Sequence, residues 1–227
     1  MASAGRSSLC GMTWDRDFAG ASAHREHARL RREREASADA APESIQDLLR
    51  DAGRRSRDVR AWEKGAAGES IVGRTLTELA DHGVRVLHDR RVPGGTSNLD
   101  HLAIAPTGVY VIDAKNYAGR PRVETFGAGE ATTKRLFIGR DDRHHLVQSV
   151  QWQTRVVEAV LADATVPVRG ILCFIGADWE VLNGYLVEGV GVTSPERLAD
   201  LLRLPGPLDA ARAEVLHRHL LTSLDAA

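Results

Sequence analysis

Cysteine is almost missing from this chain: Cys10 and Cys173 are the only two in 227 residues. Cys10 lies in a polar stretch and Cys173 in the apolar run ILCFIG, so no structural disulfide is expected and the usage suits a reducing compartment. No apolar run approaches the roughly 18–20 residues of a membrane helix. The first residues also lack the apolar segment of a secretory signal. The expected location is cytoplasmic, with no membrane partner. Charge of one sign is not in surplus either, since 30 basic residues face 31 acidic ones for a net charge of -1. A nucleic-acid partner must then be met by a local patch, not by a global field. Internal repeats and long low-complexity tracts are absent. So are the phosphate-cradling G-x-x-x-x-G-K-[ST] segment and a paired C-x-x-C zinc pattern. Ser194 has no Ser-His-Asp setting, and adjacent His144 and His145 would diverge on a helix instead of chelating one ion.

The chain has 43% apolar residues, enough for one sizeable core. Residues 1–60 stand apart. They are rich in Ala, Ser, Arg and Glu, and the run HREHARLRRERE mixes both charge signs with little apolar surface. A poorly ordered or weakly helical leader is expected there, with a partner-docking or nucleic-acid-binding arm as the alternative reading. Residues 61–227 read as one ordered α/β domain.

Glu63 to Ala80 has helical spacing, with Val72, Leu76 and Leu79 on one side and Glu69 at the edge of that stripe. Gly65 and Gly68 permit close backbone approach. Val84 to Val92 alternates as a strand, and the loop Pro93–Ser97 delivers the chain to NLDHLAIAPTGVYVIDAK, residues 98–115. That stretch reads as two strands joined at Pro106-Thr107-Gly108. After Asn116-Tyr117-Ala118-Gly119 a polar segment is expected to about Gly129, then a further strand at Lys134–Ile138 and a turn at 139–142. His145 to Ala162 reads as a second helix with a polar stripe through Gln148, Gln151, Arg155 and Glu158. Val168–Ile175 is a buried strand, Tyr185–Val192 one more strand, Ser194-Pro195 a capped helix start, and Leu208–Leu224 a last helix. Helix, three strands, helix, strand and smaller additions make an α/β layer arrangement.

Three positions in residues 98–115 carry chemistry. Asp100 opens the first strand, while Asp113 and Lys115 close the second and point to the same face. Two carboxylates and an ammonium at one end of neighbouring strands are electrostatically awkward unless a divalent cation and a phosphate are involved. Hydrolysing a phosphodiester needs such a cation, an activated water and a hold on the phosphate. Mg²⁺ or Mn²⁺ would take Asp100, Asp113 and the backbone carbonyl of Ala114, with Glu69 extending the set. Lys115 would orient or deprotonate water, or stabilise charge on the phosphate, and Gln148 would orient Lys115 or a water. D-x-K alone is weak, so the combination carries the reading. His88 and His101 stand isolated, with His101 able at most to reach the substrate or a ligand's neighbour.

The segments GAAGESIVGRTLTEL and VLHDRRVPGGTSNLDHLAIAPTGVYVIDAKNYAG resemble the nuclease-related domain (NERD) family over roughly residues 62–180. That family is placed in the restriction-endonuclease-like PD-(D/E)XK superfold, whose core is a helix, a three-stranded meander, a helix and a strand. The resemblance puts the family's helix Glu on Glu69, its first-strand Asp on Asp100 and its D/E-x-K on Asp113 and Lys115. At His144-His145 the chain departs from the Asn-Pro pair the family usually has before its Gln, which stands here as Gln148. The resemblance implies metal-dependent cleavage of DNA, with DNA favoured over RNA. Arg90, Arg91, Arg120, Arg122, Lys134, Arg135, Arg140 and Arg143 flank the site as candidate phosphate contacts. The rival expectations are a non-catalytic nucleic-acid-binding module and a protein-interaction module using residues 1–60.

Overall fold

The computed structural model describes Arg25, Arg29 and residues 64–95, 97–127, 132–179 and 184–227. The leader expected over residues 1–60 and the position of Cys10 lie outside the described residues, apart from Arg25 and Arg29, which are both helical.

Helix α1 occupies 64–77 and is followed by a 3-10 turn at Ala80–His82. Val72, Leu76 and Leu79 are fully buried, as their spacing predicts. A meander of three antiparallel strands comes next: β1 (Arg85–Arg91), β2 (Asn98–Ala105) and β3 (Gly108–Gly119). The β2–β3 turn leaves Pro106 and Thr107 between the paired Ala105 and Gly108. Gly108 has φ 144°, and a Cβ there would sit 2.5 Å from the Pro167 carbonyl oxygen, so only glycine fits.

The polar segment after Gly119 is a strand as far as Phe126. β3 runs on to Gly119, beyond a register irregularity between Asn116 and Gly119, and passes into β4 (Pro121–Phe126). β4 pairs with β5 (Thr133–Ile138), which pairs with the two-residue β6 (Asp141–Asp142), forming a separate three-stranded antiparallel sheet. Polar composition hid β4, because one of its faces is exposed. Helix α2 (His144–Leu161) then leads to β7 (Val168–Ala177), which pairs parallel with β3. The single strand expected over Tyr185–Val192 is two, β8 (Tyr185–Val187) and β9 (Val190–Thr193). Glu188 (φ 47°) and Gly189 (φ 82°) reverse the chain between them, giving the left-handed pair that suits a tight hairpin. Helix α3 (Pro195–Leu202) starts with Pro195 at its first position. Ser194 does not cap it through its side chain, because its hydroxyl donates to Glu196 Oε2 at 2.6 Å. Helix α4 (Ala210–Ser223) is capped by Asp209, which accepts from the Arg212 N–H at 2.7 Å.

The main sheet has the order β1-β2-β3-β7-β9-β8. Tyr110, Ile112 and Ala114 face one layer with Val72 and Leu76 of α1 and Leu198 of α3. Val109 and Val111 face the other with Val157 of α2 and Leu216 of α4. Helices on both faces of a mixed sheet make this an α/β fold. Cys173 lies in the centre, fully buried, and burial pushes its thiol well up, so it is an inert core residue. No helix among the described residues is long and apolar enough to cross a membrane.

Candidate active site

The registers of the meander bring three carboxylates into one row. His101 pairs with Ile112, so the next step along sets Asp100 opposite Asp113. His88 pairs with His101 and Arg90 with Leu99, so Asp89 stands across from Asp100 on the other side. Like charges facing each other across strands are destabilising, and this row places Asp89, Asp100 and Asp113 on three adjacent strands. Asp89 takes φ 52°, a left-handed conformation uncommon for a residue with a side chain.

Asp113 is 4% exposed; its Oδ1 lies against the Lys115 ammonium and has no conventional hydrogen bond among the described residues. Asp100 Oδ2 accepts the Ala114 N–H at 3.0 Å and lies 3.8 Å from Lys115 Nζ. The ammonium also lies 3.4 Å from the Ala114 carbonyl oxygen. Lys115 thus bridges both carboxylates, beside the one backbone carbonyl expected to serve as a ligand. Glu69 comes from α1 in the opposite layer. Gly68 next to it lets the helix close on the end of β3, since a Cβ there would meet Asn116 Cβ at 3.1 Å. The Asn116 amide fastens this junction by donating to the Lys64 carbonyl at 3.0 Å. Gly65, by contrast, has open space around it.

Ionisation shows how crowded the site is. Burial, then the Asp100 and Asp89 carboxylates, push Glu69 up to about 8, and Lys115 only partly opposes them. Burial and Asp100 push Asp113 up to about 7 in spite of its contact with Lys115. Burial pulls Lys115 down, but Asp100, Asp113 and Glu69 outweigh it and hold the side chain firmly as an ammonium. Both members of the Asp113–Lys115 pair are therefore raised: one ammonium cannot neutralise Glu69, Asp100 and Asp113 together, and two negative charges are left over when all are ionised. An all-oxygen donor set with two surplus negative charges fits a hard divalent cation. Among the described residues, no three His, Cys, Asp or Glu side chains already stand at metal-binding spacing. The acids share one electrostatic neighbourhood with the ammonium between them.

Gln148 is exposed on the second turn of α2 and makes no hydrogen bond to Asp113 or Lys115 among the described residues. The flanking cations fall into different settings. Arg90 is buried, which removes it from the surface phosphate contacts expected for it. Arg91, Arg120, Lys134 and Arg140 are exposed. Arg122 pairs with Glu124, Arg135 with Asp142 at 2.6 Å, and Arg143 with Asp141 at 2.7 Å.

His88 and His101 are not isolated. Strand register pairs them, with Nδ1 of each 2.9 Å apart, and His101 is fully buried. Burial, then His88 and Lys115, hold His101 well below the usual range, so it is neutral. One Nδ1 must donate and the other accept.

Asp89 is the residue that sequence reasoning missed. It is 2% exposed, accepts from Asn98 Nδ2 at 3.4 Å and from Arg25 Nη2 at 3.3 Å, and presses on the charge of Glu69. Its backbone carbonyl accepts the Ala227 N–H at 3.0 Å, and Ala226 bridges to Arg90, so the last residues of α4's tail line the edge of β1. The available signal was register: the hairpin turn at 106–107 sets Asp100 opposite Asp113, and a matching β1 alignment then reaches Asp89.

An uncharacterized protein of Bacillus anthracis is 44% identical over 66 residues, which are 28% of this chain and 31% of that protein. The aligned part thus spans less than a third of that relative. No solved structure gives a significant match. The family model described as the nuclease-related domain matches residues 64–175, a span that holds Glu69, Asp100, Asp113, Lys115 and Gln148. Residues 64–175 of this chain form a nuclease-related (NERD) domain.

Proposed function

We propose that this domain is a metal-dependent nuclease with a restriction-endonuclease-like PD-(D/E)XK core, hydrolysing phosphodiester bonds of DNA in preference to RNA. The observation that carries this is the crowding of Glu69, Asp100 and Asp113 around Lys115, near the start of β2 and in the middle of β3, which does not end at Lys115 as expected. α1, β1–β3, α2 and β7 follow the element order of that core. Asp100, Asp113 and the Ala114 carbonyl would hold Mg²⁺ or Mn²⁺, with Glu69 as the auxiliary ligand. When bound, such an ion neutralises charge on the phosphate and makes water a better nucleophile at neutral pH. The Ala114 N–H fixes the orientation of Asp100. Lys115, held as an ammonium, is suited to stabilise negative charge on a phosphate and not to take a proton from water. Gln148 is left to orient a water or substrate from α2.

Plasmid nicking with Mg²⁺ or Mn²⁺ by wild type, Asp113→Ala and Lys115→Ala tests the reading. Cleavage by wild type alone supports it; equal cleavage by all three assigns the activity to a contaminant or to another site. A second reading, nucleic-acid binding without turnover, draws on the absence of a ready-made three-ligand set among the described residues. Binding with no cleavage across both metals and both nucleic acids would favour it.

A further inference from the structure

The small sheet has one buried and one open face. Val123, Leu136 and Ile138 pack inward with Val147 and Phe174. The paired positions Arg122–Phe137, Glu124–Arg135 and Phe126–Thr133 make up the other face. Phe126 is 43% exposed there, and its ring lies 6.3 Å from that of Phe137. The Arg122 guanidinium covers Phe137 at 4.8 Å, held flat by donating to the Gly139 carbonyl at 3.0 Å. The same arrangement recurs nearer the site, where Arg143 covers Tyr117 at 4.9 Å. Two neighbouring rings, one of them topped by a guanidinium, suit flat partners.

We propose that this outer face is a base-stacking platform for single-stranded nucleic acid, which holds the strand whose backbone reaches the acidic site. The proposal rests on the nuclease reading for its purpose, but not for its test. Charge and continuity favour this occupant. Between Arg120 and Arg143 the chain has six basic residues against four acidic ones, whereas the whole chain is at -1. β3 carries Asp113 and Lys115 and continues through Tyr117 and Gly119 directly into β4, so platform and site lie on one continuous stretch of backbone. The ion pairs of Arg122 and Arg135 are surface pairs that exchange readily for phosphate. Duplex DNA keeps its bases stacked inside and cannot use exposed rings in this way; a single strand can, with little sequence preference.

The test is fluorescence anisotropy with the full chain in EDTA, where cleavage plays no part. The probes are labelled oligothymidylate and oligouridylate of about 20 nucleotides and a duplex of equal length. Wild type should bind a single strand more tightly than the duplex. Phe126→Ala should weaken single-strand binding about ten-fold, Phe126→Trp should keep it, and Arg135→Glu should reduce it, all with an unchanged melting temperature. No single-strand binding, tighter duplex binding, or an unaltered Phe126→Ala variant would each overturn the platform. Metal-dependent nicking and its loss in Asp113→Ala are scored separately, so the two readings can fail independently.

Discussion

The two sheets of this protein treat charge in opposite ways. On the open face of β4–β6, Glu124 lies across from Arg135, Arg122 pairs with Glu124, and Arg135 pairs with Asp142. In the buried meander, Asp89, Asp100 and Asp113 stand in a row across β1, β2 and β3, with Glu69 brought over them from α1. Water screens the first set, so opposite charges are arranged at little cost and little gain. In the second, loss of hydration comes first and the neighbouring like charges add to it, so Glu69 is pushed up to about 8 and Asp113 to about 7. A chain under selection for stability alone would not place them so. The arrangement fits the proposed cation, and it sets the candidate site apart from the proposed platform beside it.

The sharpest way to break this contrast is at Asp113. Asp113→Asn should lower metal-dependent nicking at least about a hundred-fold. The same change removes an unfavourable buried charge, so the metal-free variant should melt a few degrees higher than wild type at pH 8, roughly what 1 kcal/mol gives in a chain of this size. Loss of nicking together with a lower melting temperature would mean that Asp113 is a structural ion-pair partner of Lys115 and nothing more.

Packing under the row supplies the next measure. Leu172 lies beside Asp113 in the β3–β7 register and is fully buried. Leu172→Ala should cost about 2–5 kcal/mol in urea unfolding, through lost burial and the cavity left behind.

Acidity then tests the row directly. Raised carboxyl values mean the folded protein keeps protons that the unfolded chain releases. That contribution is full below the ordinary carboxylate range and is lost as pH rises through about 7 and about 8. His101 and His217 are lowered and act in the opposite direction, but only below their ordinary value near 6.5. Between pH 6.5 and 8 the carboxyls therefore dominate, and the melting temperature of the metal-free protein should fall as pH rises. Excess Mg²⁺ or Asp113→Asn should flatten the slope. A melting temperature that climbs over this window would show the acids are not coupled. The smallest effect is expected at Leu186, 69% exposed on β8, where Leu186→Ala should stay within about 0.5 kcal/mol by urea unfolding.

Much of the site was legible because it is local. Asp113 and Lys115 are two apart on a strand, and strand alternation alone puts them on one face. Asp100 follows from the short turn at Pro106-Thr107, which fixes the hairpin register. The helical stripe of Val72, Leu76 and Leu79 places Glu69 at its edge without reference to the rest of the chain. What escaped depended on partners distant in sequence. Strand β4 looked like a polar segment because Arg122, Glu124 and Thr125 leave it little apolar alternation. His88 and His101 looked solitary because their contact is made by the β1–β2 register, and Arg90 looked like a surface cation until the tail at Ala226 covered it.

Sequence alone determined the alternation of helix and strand, the apolar stripes that must be buried, and which acidic and basic side chains share one strand face. Those follow from periodicity and turn chemistry, which act over a few residues. Only the tertiary structure decided that three aspartates align, that α1 delivers Glu69 from the opposite layer, and that Lys115 is fixed as an ammonium. Each of these depends on burial and on fields from groups far apart along the chain, and such fields exist only once the layers have closed.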